Sequence, residues 1–194
     1  MAKSKTFHVT IGATFVALMA IGSNITSIFP FLVVGGVPIT LQSFFSILAG
    51  LLLGSRLGSF TLFVYTLLGL VGVPIFAQFK GGMTMLFSPT FGFIIAFIIG
   101  AYVAGKVREN FASLKGYIIG ALIALIIHFV FGANWMYMAY KFWFDAPEPV
   151  SYKLVWLWLL APLPKDLVLA LFAGAFAYRL QRQGIFIHSA LYGK

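Results

Sequence analysis

The chain has 194 residues, 61% of them hydrophobic and only 9% charged. A soluble domain carries roughly 25% charged residues, so this composition, with a mean hydropathy of +1.02, excludes an ordinary water-soluble globule and makes a lipid bilayer the solvent. The net charge of +9 does not indicate nucleic acid, because the basic residues sit in short connections between apolar runs; zero cysteines exclude thiol catalysis, disulfides and thiolate metal sites.

One domain is expected at this length: a single all-α integral membrane domain over residues 1–194, multi-pass, with six transmembrane helices. The first apolar run, Phe7–Phe29, ends at Pro30 and is long enough to span, so it reads as a helix and not as a cleaved leader. Ala13 and Ala17 stand one turn apart on it, a spacing that lets another helix approach closely. The second run, Leu41–Leu53, ends at Gly54 and makes about 20 Å of helix, short of a hydrocarbon core of roughly 30 Å. It follows V-V-G-G-V-P-I-T, Val33 to Thr40. Irregular backbone at membrane depth survives only where protein or a water-filled cavity shields it. The pair of features therefore reads either as the edge of a cavity or as a surface turn before a short tilted helix.

The third run, Leu57–Val73, ends at Pro74. A long connection to Phe93 follows, in which Gly81 and Gly82 permit close backbone approach and Ser88-Pro89-Thr90 resembles a helix start, Ser88 capping and Pro89 in the first position. This connection is either a lid over a pocket or an ordinary loop. The fourth run is 89–107 and the fifth 116–140. In the fifth, His128 is expected to hydrogen-bond across helices; no second ligand stands at metal-binding spacing, so no metal is expected. Near its end, Asn134 and Trp135 of G-A-N-W are either a polar contact and an apolar wall of a site, or interface anchors.

The sixth run, 164–180, has an apolar lead-in from Leu154 and opens on P-L-P-K-D, Pro162 to Asp166. With both termini cytoplasmic, the inside collects nine basic residues (Lys3, Lys5, Arg56, Lys106, Arg108, Lys115, Arg179, Arg182, Lys194) and the outside three (Lys80, Lys141, Lys153, beside Asp145 and Glu148), a clear positive-inside bias. Lys165 and Asp166 then lie just below the outer interface. Ionisable groups at that depth cost several kcal/mol unless paired or solvated. Neighbours on a helix point about 100° apart, so the pair is not expected to be merely a mutual salt bridge. Pro164 suits the first helical turn and Asp166 the positive end of the helix dipole. Both groups addressing a polar ligand from outside is one reading; a snorkelling lysine with a helix-start aspartate is the other. The sequence holds no nucleophile elbow, H-E-x-x-H or Walker A motif, so an enzyme is not expected.

Several stretches together resemble the BioY family: V-P-I-T-L-Q (Val37–Gln42), L-A-G-L-L-L-G-S-R-L-G (Leu48–Gly58), G-L-V-G-V-P-I-F (Gly69–Phe76), Gly81-Gly82, S-P-T-F-G-F (Ser88–Phe93), G-A-N-W, and P-x-x-P-x-D at Pro162–Asp166. The likeness covers nearly the whole chain. It implies the six-helix S-component fold of energy-coupling-factor (ECF) transporters and biotin as ligand. It also implies partners, namely a coupling transmembrane subunit (EcfT) and an ATPase pair (EcfA/EcfA') that alone uses ATP, with no cofactor in this chain. The resemblance carries ligand contact to Asp166, Lys165, Gln42, Gly81, Gly82, Thr90, Asn134 and Trp135, and docking of the coupling subunit to Ala13 and Ala17. The family's glycine before the aspartate is Lys165 here, and its lysine three residues after is Leu169. Lys165 and Leu169 lie one turn apart, so the cation is expected to have moved one turn outward while serving the same ligand. A subunit of the same fold for riboflavin or thiamine, and a membrane scaffold without a ligand, are the rival readings.

Overall fold

Where lipid replaces water, a spanning segment must satisfy its backbone hydrogen bonds internally, and the apolar runs do so as helices. The computed structural model describes residues 2–28, 33–34, 37–146 and 149–184. Pro30, Glu148 and Lys194 lie outside the described residues, as do the side chains of Lys3 and Lys5. The helices are α1 (Ala2–Ile28), α2 (Gln42–Leu53), α3 (Ser55–Val71), α4 (Phe91–Asn110), α5 (Leu114–Phe142), α6 (Tyr152–Leu159) and α7 (Leu163–Arg182). Between α1 and α2, β1 (Val33–Val34) pairs antiparallel with β2 (Val37–Pro38). Thr6–Ile25 of α1, α4 and α5 are each long and apolar enough to cross a membrane. α6 and α7 pass that test together, bent by 55° at their junction. The tryptophan-rich lead-in to the sixth run is thus a helix of its own.

The short α2 needs no match to bilayer thickness, because protein surrounds it. Nine of its 12 residues are buried, including Ile47 to Leu53 in an unbroken row, as expected of a helix that is apolar all round. Gly54, at φ 87°, separates it from α3. The start of α3 is capped from α4: Glu109 accepts from the Ser55 backbone N–H at 2.8 Å and from the Ser55 hydroxyl at 2.9 Å. A carboxylate suits that helix end by charge as well as by hydrogen bonding. α4 and α5 run antiparallel along a seam of small residues. Gly92 faces Trp135, Gly132 faces Phe93, Gly100 faces His128 and Gly120 faces Ala104.

Large apolar side chains cover much of the outer surface. Val71 is 85% exposed, Ile21 69% and Val168 65%, and Phe60, Ile126 and Phe172 stand out beside them. A soluble monomer does not display so continuous an apolar surface; a bundle sheathed in acyl chains does.

Backbones of α2 and α4 approach closely at Gly50, where a Cβ would lie 2.3 Å from the Ala101 carbonyl oxygen. Gly50→Ala is expected to cost about 1–3 kcal/mol, seen as a lower melting temperature in detergent. A Cβ on Gly12 meets only the Thr61 hydroxyl, at 3.3 Å, so Gly12→Ala should shift stability by less than about 1 kcal/mol.

Candidate functional site

The first turns of α2, α4 and α7 converge with the last turns of α5 around a cavity of about 280 Å³. That is close to the roughly 300 Å³ at which small-molecule pockets begin. Phe76, Phe93, Phe97 and Phe129 supply much of its wall; Gln42, Ser43, Thr90, His128, Tyr140 and Asp166 supply polar groups. Its roof includes Gln78 and Lys80, from the connection between α3 and α4.

Asp166 owes its position to the prolines before it. Pro164 sits in the first turn of α7, and the Asp166 N–H closes onto the Pro162 carbonyl at 3.0 Å. The carboxylate is therefore held at the positive end of the helix dipole, and the residue is 5% exposed. Lys165 Nζ stands 2.7 Å from Asp166 Oδ1. That contact is a charge-assisted ion pair, and the Ser43 side chain also reaches the Asp166 carboxylate. The ammonium donates to the backbone carbonyl of Thr40 as well. Lys165 thus joins the start of α7 to the segment leading into α2.

The roof is held in an unfavourable backbone conformation. Two short 3-10 turns, Ala77–Phe79 and Met83–Phe87, fill the connection. Gln78 (φ 63°) and Phe79 (φ 55°) are both left-handed, at a cost of about 1–3 kcal/mol each. A buried polar network keeps them there. Asn24 Oδ1 of α1 accepts from the Phe79 N–H at 2.6 Å. The Ile75 carbonyl accepts from the Ser23 hydroxyl at 2.6 Å and from the Tyr65 hydroxyl at 2.8 Å. Gln42 Nε2 donates to the Tyr65 oxygen at 3.1 Å, and Thr40 Oγ1 to Gln42 Oε1 at 3.1 Å. One chain of polar contacts thus runs from α1 beneath the roof to Thr40, whose carbonyl holds Lys165.

The profile of the BioY family matches residues 1–185. The chain belongs to the BioY family. A relative from Bacillus subtilis (strain 168), named "Putative biotin transporter BioYB", is 41% identical over 178 residues, 91% of this chain and 86% of its own. The "Biotin transporter BioY" of Thermotoga maritima is 38% identical over 118 residues, 61% of this chain and 67% of its own. Among solved structures, the S-component for biotin from an ECF-type ABC transporter superposes with a TM-score of 0.79 over 96% of both chains, at 22% identity. The fold is therefore that of an ECF S-component, and the chain is a helical membrane protein of a transporter family, not an enzyme.

Within this BioY architecture, the residues expected from sequence fall into three groups. Asp166, Gln42 and Thr90 line the cavity. Lys165, Gly81, Gly82 and Trp135 stand behind the lining. Lys165 pairs with Asp166 and also bonds the Thr40 carbonyl: the 100° between neighbours separates their Cβ atoms, but a four-carbon stem bends back across it. A Cβ on Gly81 would lie 2.5 Å from the Val73 carbonyl oxygen. The Gly82 N–H donates to Gly69 O at 2.7 Å, so both glycines shape the roof. Trp135 Nε1 donates to the Ser88 carbonyl at 3.1 Å, and its ring packs on Phe91 and Trp143. The third group faces away. Asn134 is exposed and donates to Val130 O of its own helix at 2.7 Å, and Ala13 and Ala17 lie on the exposed face of α1.

Two local expectations are corrected. Neither ring nitrogen of His128 has a hydrogen-bond partner among the described residues. The ring lies edge-on to Phe97, with centroids 4.9 Å apart, and against Gly100, on the cavity wall. α4 begins at Phe91, not Pro89, because Ser88 and Thr90 first close a turn, with the Thr90 N–H donating to Ser88 Oγ at 3.3 Å. Among the described residues no group of His, Asp or Glu could hold a metal. Sequence reading missed Lys80 and Gln78 as roof residues and Asn24, Ser23 and Tyr65 as their anchors. A buried amide and hydroxyl side by side near the end of α1 were the one available signal.

Asn24→Ala removes the acceptor for the Phe79 N–H and leaves it unpaired, a loss of about 1–3 kcal/mol. The expected result is faster amide hydrogen exchange confined to the roof, residues 75–82, with the α4–α5 seam still protected.

Proposed function

We propose that this chain is the biotin-binding S-component of an ECF-type transporter. It takes biotin from the cell exterior across the cytoplasmic membrane, and ATP-hydrolysing partner subunits drive release inside. The observation that carries this reading is a buried carboxylate, Asp166, balanced by Lys165 and set on the wall of an aromatic cavity, in a family whose members are named biotin transporters. Biotin's ureido ring offers two N–H donors to such a carboxylate, and charge-assisted bonds of this kind are roughly twice as strong as neutral ones. The apolar rings and chain suit Phe76, Phe93, Phe97 and Phe129. Lys80 in the roof is the cation toward which the ligand carboxylate points, and Gln42 and Thr90 are further polar contacts on the wall.

Charge supports the orientation. Arg56, Lys106, Arg108, Lys115, Arg179 and Arg182 occur at the end of the bundle opposite the cavity, where α2, α4 and α7 finish and α3 and α5 start. Under the positive-inside rule that end is cytoplasmic, the cavity opens outward and the termini lie inside. We assign the six spans to α1, α2, α3, α4, α5 and α7. The exposed Ala13–Ala17 face of α1 is the docking surface for the coupling subunit EcfT, which brings the ATPase pair EcfA/EcfA'. Lys165 serves the ligand indirectly, by fixing the Asp166 carboxylate and closing α7 onto Thr40.

Biotin binding by the purified protein is expected, with riboflavin and thiamine ignored. Asp166→Asn should weaken biotin roughly 10- to 100-fold, the value of one or two charge-assisted hydrogen bonds. Lys80→Ala should weaken biotin but leave biotinamide, which has no carboxylate, unchanged. Titration calorimetry reads all three. Retention of riboflavin or thiamine but not biotin, or equal biotin affinity for wild type and Asp166→Asn, would overturn the assignment.

A further inference from the structure

A second cavity, of about 140 Å³, lies at the other end of the bundle, between the last turns of α4 and α7 and the first turn of α5. Arg108 and Arg182 line it, with Tyr117, Tyr178 and Gln181. Arg108 is 4% exposed. Its Nε donates to the Tyr117 oxygen at 3.0 Å and its Nη2 to Gln181 Oε1 at 3.2 Å. Both acceptors are neutral: they orient the guanidinium but do not offset its charge, and buried charges are ordinarily paired with opposite ones. Arg182 is exposed, and its guanidinium lies 6.0 Å from the centre of the Tyr178 ring. The one carboxylate on the wall is Glu109. It is committed to the Ser55 N–H and hydroxyl and lies 3.5 Å from Lys106.

With Nε and Nη2 of Arg108 engaged, its remaining N–H groups and the Arg182 guanidinium flank a hollow at the end of a membrane bundle, an arrangement that suits a tetrahedral oxyanion. The phosphate of a lipid headgroup resides at that depth, and basic pockets between helices on the cytoplasmic side take anionic headgroups. We propose that the cavity between Arg108 and Arg182 is a binding site for the phosphate headgroup of an anionic membrane lipid. The site is separate from the Asp166 cavity and requires only that the bundle be membrane-embedded. It holds the ends of α4 and α7 and the start of α5 together at the surface opposite the ligand.

The test uses the full chain in neutral detergent supplemented with phosphatidylcholine, phosphatidylglycerol or inorganic phosphate, read by melting temperature and by native mass spectrometry. Phosphatidylglycerol should remain bound and raise the melting temperature by about 2–4 °C, while phosphatidylcholine should not. Arg182→Gln, at an exposed position outside the ligand cavity, should fold, bind biotin as wild type does, and lose phosphatidylglycerol retention about tenfold. Arg182→Lys, which keeps charge but not the fork, should fall between. If Arg182→Gln proves unstable, Gln181→Ala, which frees Arg108 from its orienting acceptor, should show the same selective loss. Equal stabilisation by inorganic phosphate would make this a free-anion site and overturn the lipid assignment. Unaltered lipid retention in Arg182→Gln and Gln181→Ala would overturn it too. So would loss of coupling-subunit assembly in those variants with lipid retention intact, which would mark the cavity as a protein contact.

Discussion

The ion pair of Lys165 and Asp166 is the contact on which the arrangement of the cavity depends. A carboxylate under the membrane surface is tolerable only if its lost hydration is offset. The helix dipole of α7 offsets part, and the ammonium 2.7 Å away offsets more. The Ser43 side chain adds a further contact. An ionised carboxylate has about four lone-pair sites, so these partners stabilise Asp166 and still leave acceptor capacity on the cavity wall. Lys165 also makes the pair a structural tie. Its bond to the Thr40 carbonyl ties the charge on the cavity wall to the segment before α2.

The legible part of this protein was legible because lipid enforces simple rules. Mean hydropathy chose the solvent, glycine ended α2 and α3 at Gly54 and Gly72, and the brevity of α2 beside V-V-G-G-V-P-I-T left a cavity edge and a surface turn as alternatives, of which the structure has the first, with Val33, Val37, Pro38 and Thr40 on the cavity wall. What stayed hidden depends on side-chain reach or on contacts distant in sequence. Helical angles describe where Lys165 and Asp166 leave the backbone, not where a long stem ends. The left-handed pair at Gln78 and Phe79 has no sequence mark, since neither residue is glycine or asparagine. It exists because Asn24, 55 positions earlier, accepts the Phe79 N–H. Asn134 sits beside Trp135 in the motif, yet only Trp135 turns toward the elements that build the roof, as neighbours on α5 must diverge.

The two ends of the bundle handle charge in opposite ways. At the cavity end, an acid and an amine offset one another and leave a site for a polar guest. At the other, Glu109 is used up in capping α3 and two arginines share a hollow with neutral partners. α4, α5 and α7 contribute to both ends, and the glycine seam between α4 and α5 makes that pair stiff along its length. The seam seats the Trp135 side chain against Gly92, where an added Cβ would lie 2.2 Å from the Trp135 Cβ.

α1 is built differently from the rest, and that difference bears on how the roof is held. Its outward face carries Ala13, Ala17 and Ile21, all exposed, while Ser23 and Asn24, buried in the next turn, hold the roof. From Ala17 to Asn24 is about 10 Å of helix, short enough for α1 to move as one rod. Gln78 and Phe79 occupy a left-handed backbone conformation, costly for residues with a side chain, so the bond from Asn24 is one of the contacts that offsets that cost. The same helix that exposes a small-residue face therefore also fixes the roof, and the two features lie on one rigid element.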